Sequence, residues 1–178
     1  IKGCDDKEYI DKAVNYLLSQ QEKNGSWFGR WGTNYIYGTW SVMSALNLVD
    51  FKQKTEVFER AVEYLNNMQR NDGGWGEDGA SYYKGFENLS RKSTPSQTAW
   101  ALMGLLAAGN LYSPEVEKGL KYLTNKKTKF EEDFFTAVGF PRVFYLKYHG
   151  YSKYFPLLAI SKIRNQVNKN SLTPIYGA

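Results

Sequence analysis

The chain has 178 residues, 42% of them apolar, so it can bury the core of one ordinary domain and wholesale disorder is excluded. Its formal charge is +5, yet the basic residues are scattered. The densest cluster, Lys126-Lys127-Thr128-Lys129, runs straight into Glu131-Glu132-Asp133, the pattern of a solvated loop and not of a nucleic-acid surface. Aromatics are the outlier at 16%, with 14 Tyr, 10 Phe and 5 Trp, a surplus that can fill a core, stack on sugars or line a cavity for cations. A single cysteine, Cys4, rules out an internal disulfide and fits a reducing compartment. The first residues, Ile1-Lys2-Gly3-Cys4-Asp5-Asp6, carry neither an initiator Met nor an apolar signal segment and read like the middle of a longer polypeptide.

In chain order, the first predicted element is an amphipathic helix starting at Asp5 or Asp6, with Ala13, Tyr16, Leu17 and Gln20 at helical spacing. It runs into Gln21, Gly25 and Trp27. The segment Lys12-Ala-Val-Asn-Tyr-Leu returns without a gap as Arg60-Ala-Val-Glu-Tyr-Leu, again followed by a Gln-Gly-Trp set, Gln69, Gly73 and Trp75. A third copy begins at Lys118-Gly119-Leu120-Lys121-Tyr122-Leu123 and decays, with Phe130 expected in the place of Trp. Each glycine sits where a helix needs a left-handed end. The Gln is expected to bond backbone groups freed at the helix end, and the Trp ring to fold back over the neighbouring helix. The motif reads as a structural staple.

A second class of helix follows each staple. Tyr37–Leu46 and Thr98–Ala108 are apolar nearly all round, hence buried on both sides. Thr94-Pro95 and Ser113-Pro114 are good helix starts, and Pro141 and Pro156 are expected to start two more short helices. No β-alternation of useful length competes. The alternation of amphipathic outer and apolar inner helices predicts an all-α fold, an α/α toroid, with about three hairpins, roughly half of a six-hairpin ring. The chain is expected to be one portion of a single toroid domain over residues 1–178, with 165–178 a poorly ordered tail. The longest apolar stretch, Ala99–Ala108, is about half of a membrane span, so the chain is not expected to cross a bilayer.

The Gln-x-x-x-Gly-x-Trp repeat resembles the QW motif of triterpene cyclases. Four segments resemble the squalene–hopene cyclase branch: Trp27–Trp40, Gly73–Asp78, Ser93–Leu102, and Gly139-Phe140-Pro141-Arg142-Val143-Phe144-Tyr145-Leu146-Lys147-Tyr148 running on to Tyr151 and Phe155-Pro156. The resemblance implies a protonation-initiated carbocation cascade that closes squalene into a pentacyclic triterpene such as hopene or hopanol, with no cofactor and no metal. The family's acid motif, Asp-x-Asp-Asp, is absent: Asp5-Asp6 and Glu131-Glu132-Asp133 match neither its pattern nor its position. No catalytic acid is therefore assigned to this chain, which resembles the C-terminal part of a cyclase.

What the resemblance assigns here is a cavity wall. Phe140 and Phe144 resemble the cation-facing phenylalanines, Trp31 matches a Trp that lines the site, and Leu146, Tyr148 and Tyr151 match residues that shape the chain or support its aromatic wall. Tyr37 matches a nearby Tyr. Implied partners are squalene, the missing N-terminal part, a membrane surface and, in the full enzyme, a second copy in a homodimer. Nucleic acid is not among them. The implied location is the cytoplasmic face of a membrane, as a monotopic protein that is not secreted.

Several residues have plainer readings. Trp40 and Trp100 read as core. Glu77-Asp78 looks like an acid pair, but an exposed N-cap or loop bond is the simpler role. His149, the only histidine, has no ligand partners at metal spacing and reads as surface, which also counts against the zinc-dependent prenyltransferases. Two other functions stay open on the sequence: a non-catalytic toroid binding module for isoprenoid or carbohydrate, and a fragment inactive alone. Few carboxylates beside the aromatics of 140–151 favour a hydrocarbon over a sugar.

Overall fold

The structure, a computed structural model, describes residues 7–85, 91–131 and 135–169. The helix start at Asp5 or Asp6, Cys4, Glu132-Asp133 and positions 170–178 of the expected tail lie outside these. Six helices are described: α1 (Lys7–Ser19), α2 (Tyr35–Leu46), α3 (Lys54–Met68), α4 (Pro95–Ala107), α5 (Pro114–Thr124) and α6 (Tyr151–Val167). A 3-10 turn covers Gly79–Tyr82, and two short strands, β1 (Ala137–Phe140) and β2 (Phe144–Leu146), precede α6.

Helix α4 lies between α2 and α6 and packs extensively on both. Every residue from Pro95 to Leu106 is buried, as an apolar surface all round the helix demands. Helices α1, α3 and α5 are strongly amphipathic and bury one face each. Thr94 and Ser113 cap α4 and α5, each accepting an N–H two or three residues into the helix, from Gln97 and Val116, with proline in the first turn. This is the inner-and-outer alternation of an α/α toroid, and the buried side chains of α2 to α6 form one continuous core.

The repeat motif is the joint between layers. Gly25 and Gly73 both take positive φ, 89° and 86°. A Cβ on either would also strike a backbone carbonyl of the next outer helix, that of Arg60 or Lys118. Gln21 Nε2 donates to the carbonyls of Gly25 and Val57, both at 3.0 Å. Gln69 Nε2 donates to those of Gly73 and Glu115, both at 2.9 Å. The Gln therefore does more than close its own helix end: it reaches into the first turns of the next outer helix. The Trp indoles donate back to their own helices, Trp27 to Leu17 at 2.7 Å and Trp75 to Leu65 at 2.6 Å. Their backbone N–H groups bond hydroxyls of the following inner helix, Thr39 and Thr98.

Three expectations change. The stretch around Phe140 is a hairpin and not a helix: β1 and β2 pair antiparallel, and Pro141 lies in the turn with Arg142 at φ 65°. The alternation is only three or four residues long in each strand, too short to stand out in the sequence. Pro156 lies inside α6, which starts at Tyr151 after Gly150. At the sixth residue of the helix the proline removes the bond that its N–H would make to the Ser152 carbonyl. Helix α6 continues to Val167, past the start of the expected tail at 165. The decayed third repeat is closed differently, by Thr128 donating from its hydroxyl to the Tyr122 carbonyl at 2.6 Å, with Phe130 half-buried.

Gln69→Ala strips the donor from two carbonyls, so it should lower stability by about 1–3 kcal/mol in urea unfolding. Gln20→Ala, on the exposed neighbouring position, should stay within about 0.5 kcal/mol of wild type. Equal effects of the two substitutions would remove the clamp role.

Candidate functional site

The residues picked out in the sequence come from two stretches far apart in the chain, 31–37 and 140–151. The loop before α2 is drawn onto the hairpin edge by a single β-bridge and its flanking backbone bonds. Gly32 bridges Ala137, Thr33 N–H donates to the Thr136 carbonyl at 3.0 Å, and Val138 N–H donates to the Trp31 carbonyl at 2.8 Å. That pairing sets Trp31 beside the turn that leads into α6. Its indole stacks on Tyr148 (centroids 6.4 Å apart, planes at 25°) and donates to the Tyr151 hydroxyl at 3.2 Å. Tyr148 in turn stacks on Tyr151 at 4.9 Å.

Behind this front row stands a second one. Tyr151 meets Phe155 and Trp100 edge-on at 5.0 and 5.9 Å. Trp100 stacks flat on Trp40 at 6.1 Å, and Tyr37 meets both indoles edge-on at 5.0 and 5.5 Å. Trp40 and Trp100 are core residues, as expected, and here the core doubles as the backing of the wall. Phe155 was not singled out in the sequence, although its spacing of four from Tyr151 puts both on one face of α6.

Phe140 and Phe144 form their own edge-to-face pair, 5.6 Å apart, across the hairpin. Gly139 makes this possible, because a Cβ there would overlap the Phe144 ring. Leu146 sits opposite Ala137 in the hairpin and is half-buried. Trp31, Phe140, Phe144 and Tyr148 remain 46%, 64%, 43% and 39% exposed. Each of these rings keeps part of its aromatic face open.

The chemistry of that face is negative potential without a base. Ring faces attract cations. The phenol of Tyr151 is pushed up by burial, opposed by the Trp31 N–H, and Tyr37 is pushed up by burial and by Tyr151. Both stay neutral at ordinary pH. His149 is exposed on the surface.

The acid pair separates. Asp78 accepts the Ala80 N–H at 2.9 Å and pairs with Arg91 at 3.0 Å. Glu77, expected to be exposed, has no exposure at all. Its Oε1 accepts the N–H groups of Asn34 at 2.8 Å and Ile36 at 2.6 Å, at the N-terminus of α2. Burial pushes this carboxyl up to about 7, against the lowering effect of those N–H groups.

Among the described residues, no helix is long and apolar enough to cross a membrane. The family described as squalene-hopene cyclase C-terminal domain matches residues 2–165. The chain is 49% identical over 170 residues to the squalene–hopene cyclase of Bradyrhizobium diazoefficiens, covering 92% of this chain and 26% of the relative. It is 50% identical over 171 residues to that of Zymomonas mobilis, with 93% and 26% covered. A similar enzyme from Alicyclobacillus acidocaldarius is 41% identical over 171 residues, with 94% and 27% covered. The chain thus spans about a quarter of the length of the curated relatives it matches.

Glu77 predicts a pH dependence. Its folded value lies above the ordinary one, so its contribution to stability is complete below about pH 4.5 and is lost as pH rises through about 7. The titratable groups facing it, Tyr64 and Tyr82, are phenols that burial pushes up, so they do not ionise in that window. Urea unfolding should therefore report roughly 3 kcal/mol less stability at pH 8 than at pH 4.5 from this group. Glu77→Gln should flatten that part of the curve. A slope identical in the variant would assign the dependence to other groups.

Proposed function

We propose that this chain, which belongs to the squalene-hopene cyclase C-terminal domain family, supplies an aromatic wall for the cyclisation of squalene to a pentacyclic triterpene by a carbocation cascade. Residues 1–178 form the C-terminal portion of a single toroid domain whose remainder carries the initiating acid. The observation that supports the reading best is the row Trp31–Tyr148–Tyr151, backed by Trp100, Tyr37 and Trp40 and joined by ring contacts throughout.

Protonation of a terminal alkene leaves a cation that migrates as each ring closes. The wall must stabilise that charge and must not remove a proton before the last ring forms. Phe140 and Phe144 project from the hairpin as bare hydrocarbon rings, the choice that meets both demands. Tyr148, Tyr151 and Trp31 hold the neighbouring surface flat, with the Trp31 N–H spent on the Tyr151 oxygen. Each desolvated ring contributes about 0.5–2 kcal/mol to the charged state. Fixed in place before charge develops, the rings require no reorganisation as it forms. Loss of a proton or capture of water ends the sequence. The protein then draws its substrate from a bilayer, as a monotopic enzyme on the cytoplasmic leaflet, and the full-length form assembles as a homodimer.

The test is the full-length protein incubated with squalene, with products separated and identified by mass spectrometry. Pentacyclic products are expected. Phe144→Ala should lower turnover by roughly 2- to 30-fold, the rate equivalent of one such ring, and release partly cyclised products. Untouched squalene with the folded wild-type protein would overturn the cyclase reading. A wild-type rate and product pattern in the variant would take Phe144 out of the site.

A further inference from the structure

Helix α2 begins without a cap of its own. Its N-cap residue, Asn34, makes no side-chain bond to the helix. Its Oδ1 instead accepts the Gly29 N–H at 2.9 Å and closes the loop that carries Trp31. The first amides of α2 are buried, so they need an acceptor from elsewhere. Glu77 provides it from the following repeat.

This carboxyl has no counterpart in the first copy. Aligned on Trp27 and Trp75, the position of Glu77 is filled there by Gly29. Helix α4 needs no such help, because Thr94 caps it. A buried carboxyl is a costly cap where Ser, Thr or Asn would serve. Its placement at this one helix start calls for a local reason, and that reason is the loop just before it.

Segment 31–36 is gripped from two sides. On one side, Glu77 holds Asn34 and Ile36, while Gln97 Nε2 donates to the carbonyls of Thr33 at 2.9 Å and Glu77 at 2.8 Å. The Tyr82 hydroxyl adds contacts to the carbonyls of Gly29 and Gly32 at 3.0 and 3.2 Å. On the other side, the hairpin takes Trp31 and Thr33 through backbone bonds. Trp31 itself is 46% exposed, and among the described residues its ring meets Tyr148 and Tyr151. Any slip of residues 34–36 therefore carries Trp31 along its ring partners.

We propose that Glu77 is a positioning residue for the aromatic wall: by capping α2 across the repeat boundary it fixes where Trp31 stands against Tyr148 and Tyr151. Its consequence for product outcome rests on the cyclase reading; its effect on Trp31 does not. The test uses the full-length protein labelled with 5-fluorotryptophan, the Trp31 fluorine resonance being assigned by its loss in Trp31→Phe. Glu77→Ala, and the milder Glu77→Asp should Ala fail to fold, are expected to shift or broaden that resonance well below the melting temperature. Glu77→Gln keeps an oxygen acceptor and should restore it. With squalene, the Ala or Asp variant should lose about tenfold or more in kcat, with KM within about twofold, and release more partly cyclised product.

A merely structural Glu77 would lower the melting temperature and leave both the resonance and the product pattern of the folded protein unchanged. That result, or failure of Gln to restore the resonance, overturns the proposal. If the wild-type protein leaves squalene untouched, the function falls while the resonance still decides the role of Glu77.

Discussion

The structure depends on one constraint: the loops that join outer to inner helices are themselves buried, and buried backbone must find partners. Ser26, Thr33, Asn34, Glu77, Ser96, Gln97 and Thr98 are all without exposure. They lie where the chain turns from the outside of the arc to the inside. Water cannot reach these turns, so side chains replace it. Thr39 and Thr98 accept from the backbone of the staple tryptophans, Asn34 from Gly29, and Gln97 and Glu77 each serve two or more groups at once. Several of these bonds cross from one repeat to the next. The repeats are held together by polar groups beneath the surface as well as by apolar packing.

That constraint explains what the sequence made legible. The Gln-Gly-Trp set is local, with its members within a few residues, so its geometry could be read from spacing and from the need for a left-handed glycine. The all-round apolar character of α4 is local too. What escaped is non-local. Nothing near Glu77 says that it caps a helix start some forty residues upstream, and a Glu beside an Asp in a Gly-rich stretch has the composition of an exposed turn. The hairpin escaped for a related reason. Its strands are short, and part of its edge is completed by Gly32 and Thr33 from the other end of the chain.

The wall residues divide along the same line. Tyr148, Tyr151 and Phe155 are neighbours in sequence: helical spacing accounts for the contact of Tyr151 with Phe155, and the turn before α6 for that of Tyr148 with Tyr151. Trp31 joins them across 120 residues, through backbone pairing with β1 and a single indole bond. Only the resemblance to the cyclases could place it there from sequence, since an exposed Trp in a glycine-rich loop has many possible uses. Phe140 stands on the hairpin as the most open of these rings. The fixed aromatic core under α2, α4 and α6 grades outward into a surface that is still aromatic but less covered.

This grading bears on how a wall can be both stable and reactive toward cations. Stability wants ring edges and faces packed against each other, as Trp40, Trp100, Tyr37 and Phe155 are. Cation binding wants a ring face free, and Phe140 and Phe144 are the rings for which that role is proposed. If the wall carried carboxylates, their fields would be stronger, but a carboxylate in contact with a carbocation is also a base. Among the described residues, the buried carboxyl of Glu77 is turned onto the start of α2, its Oε1 occupied by backbone N–H groups and its ionisation resisted by burial. The acid that this loop uses for its own geometry is thus fully buried at the start of α2, with no exposure from which to act as a proton acceptor.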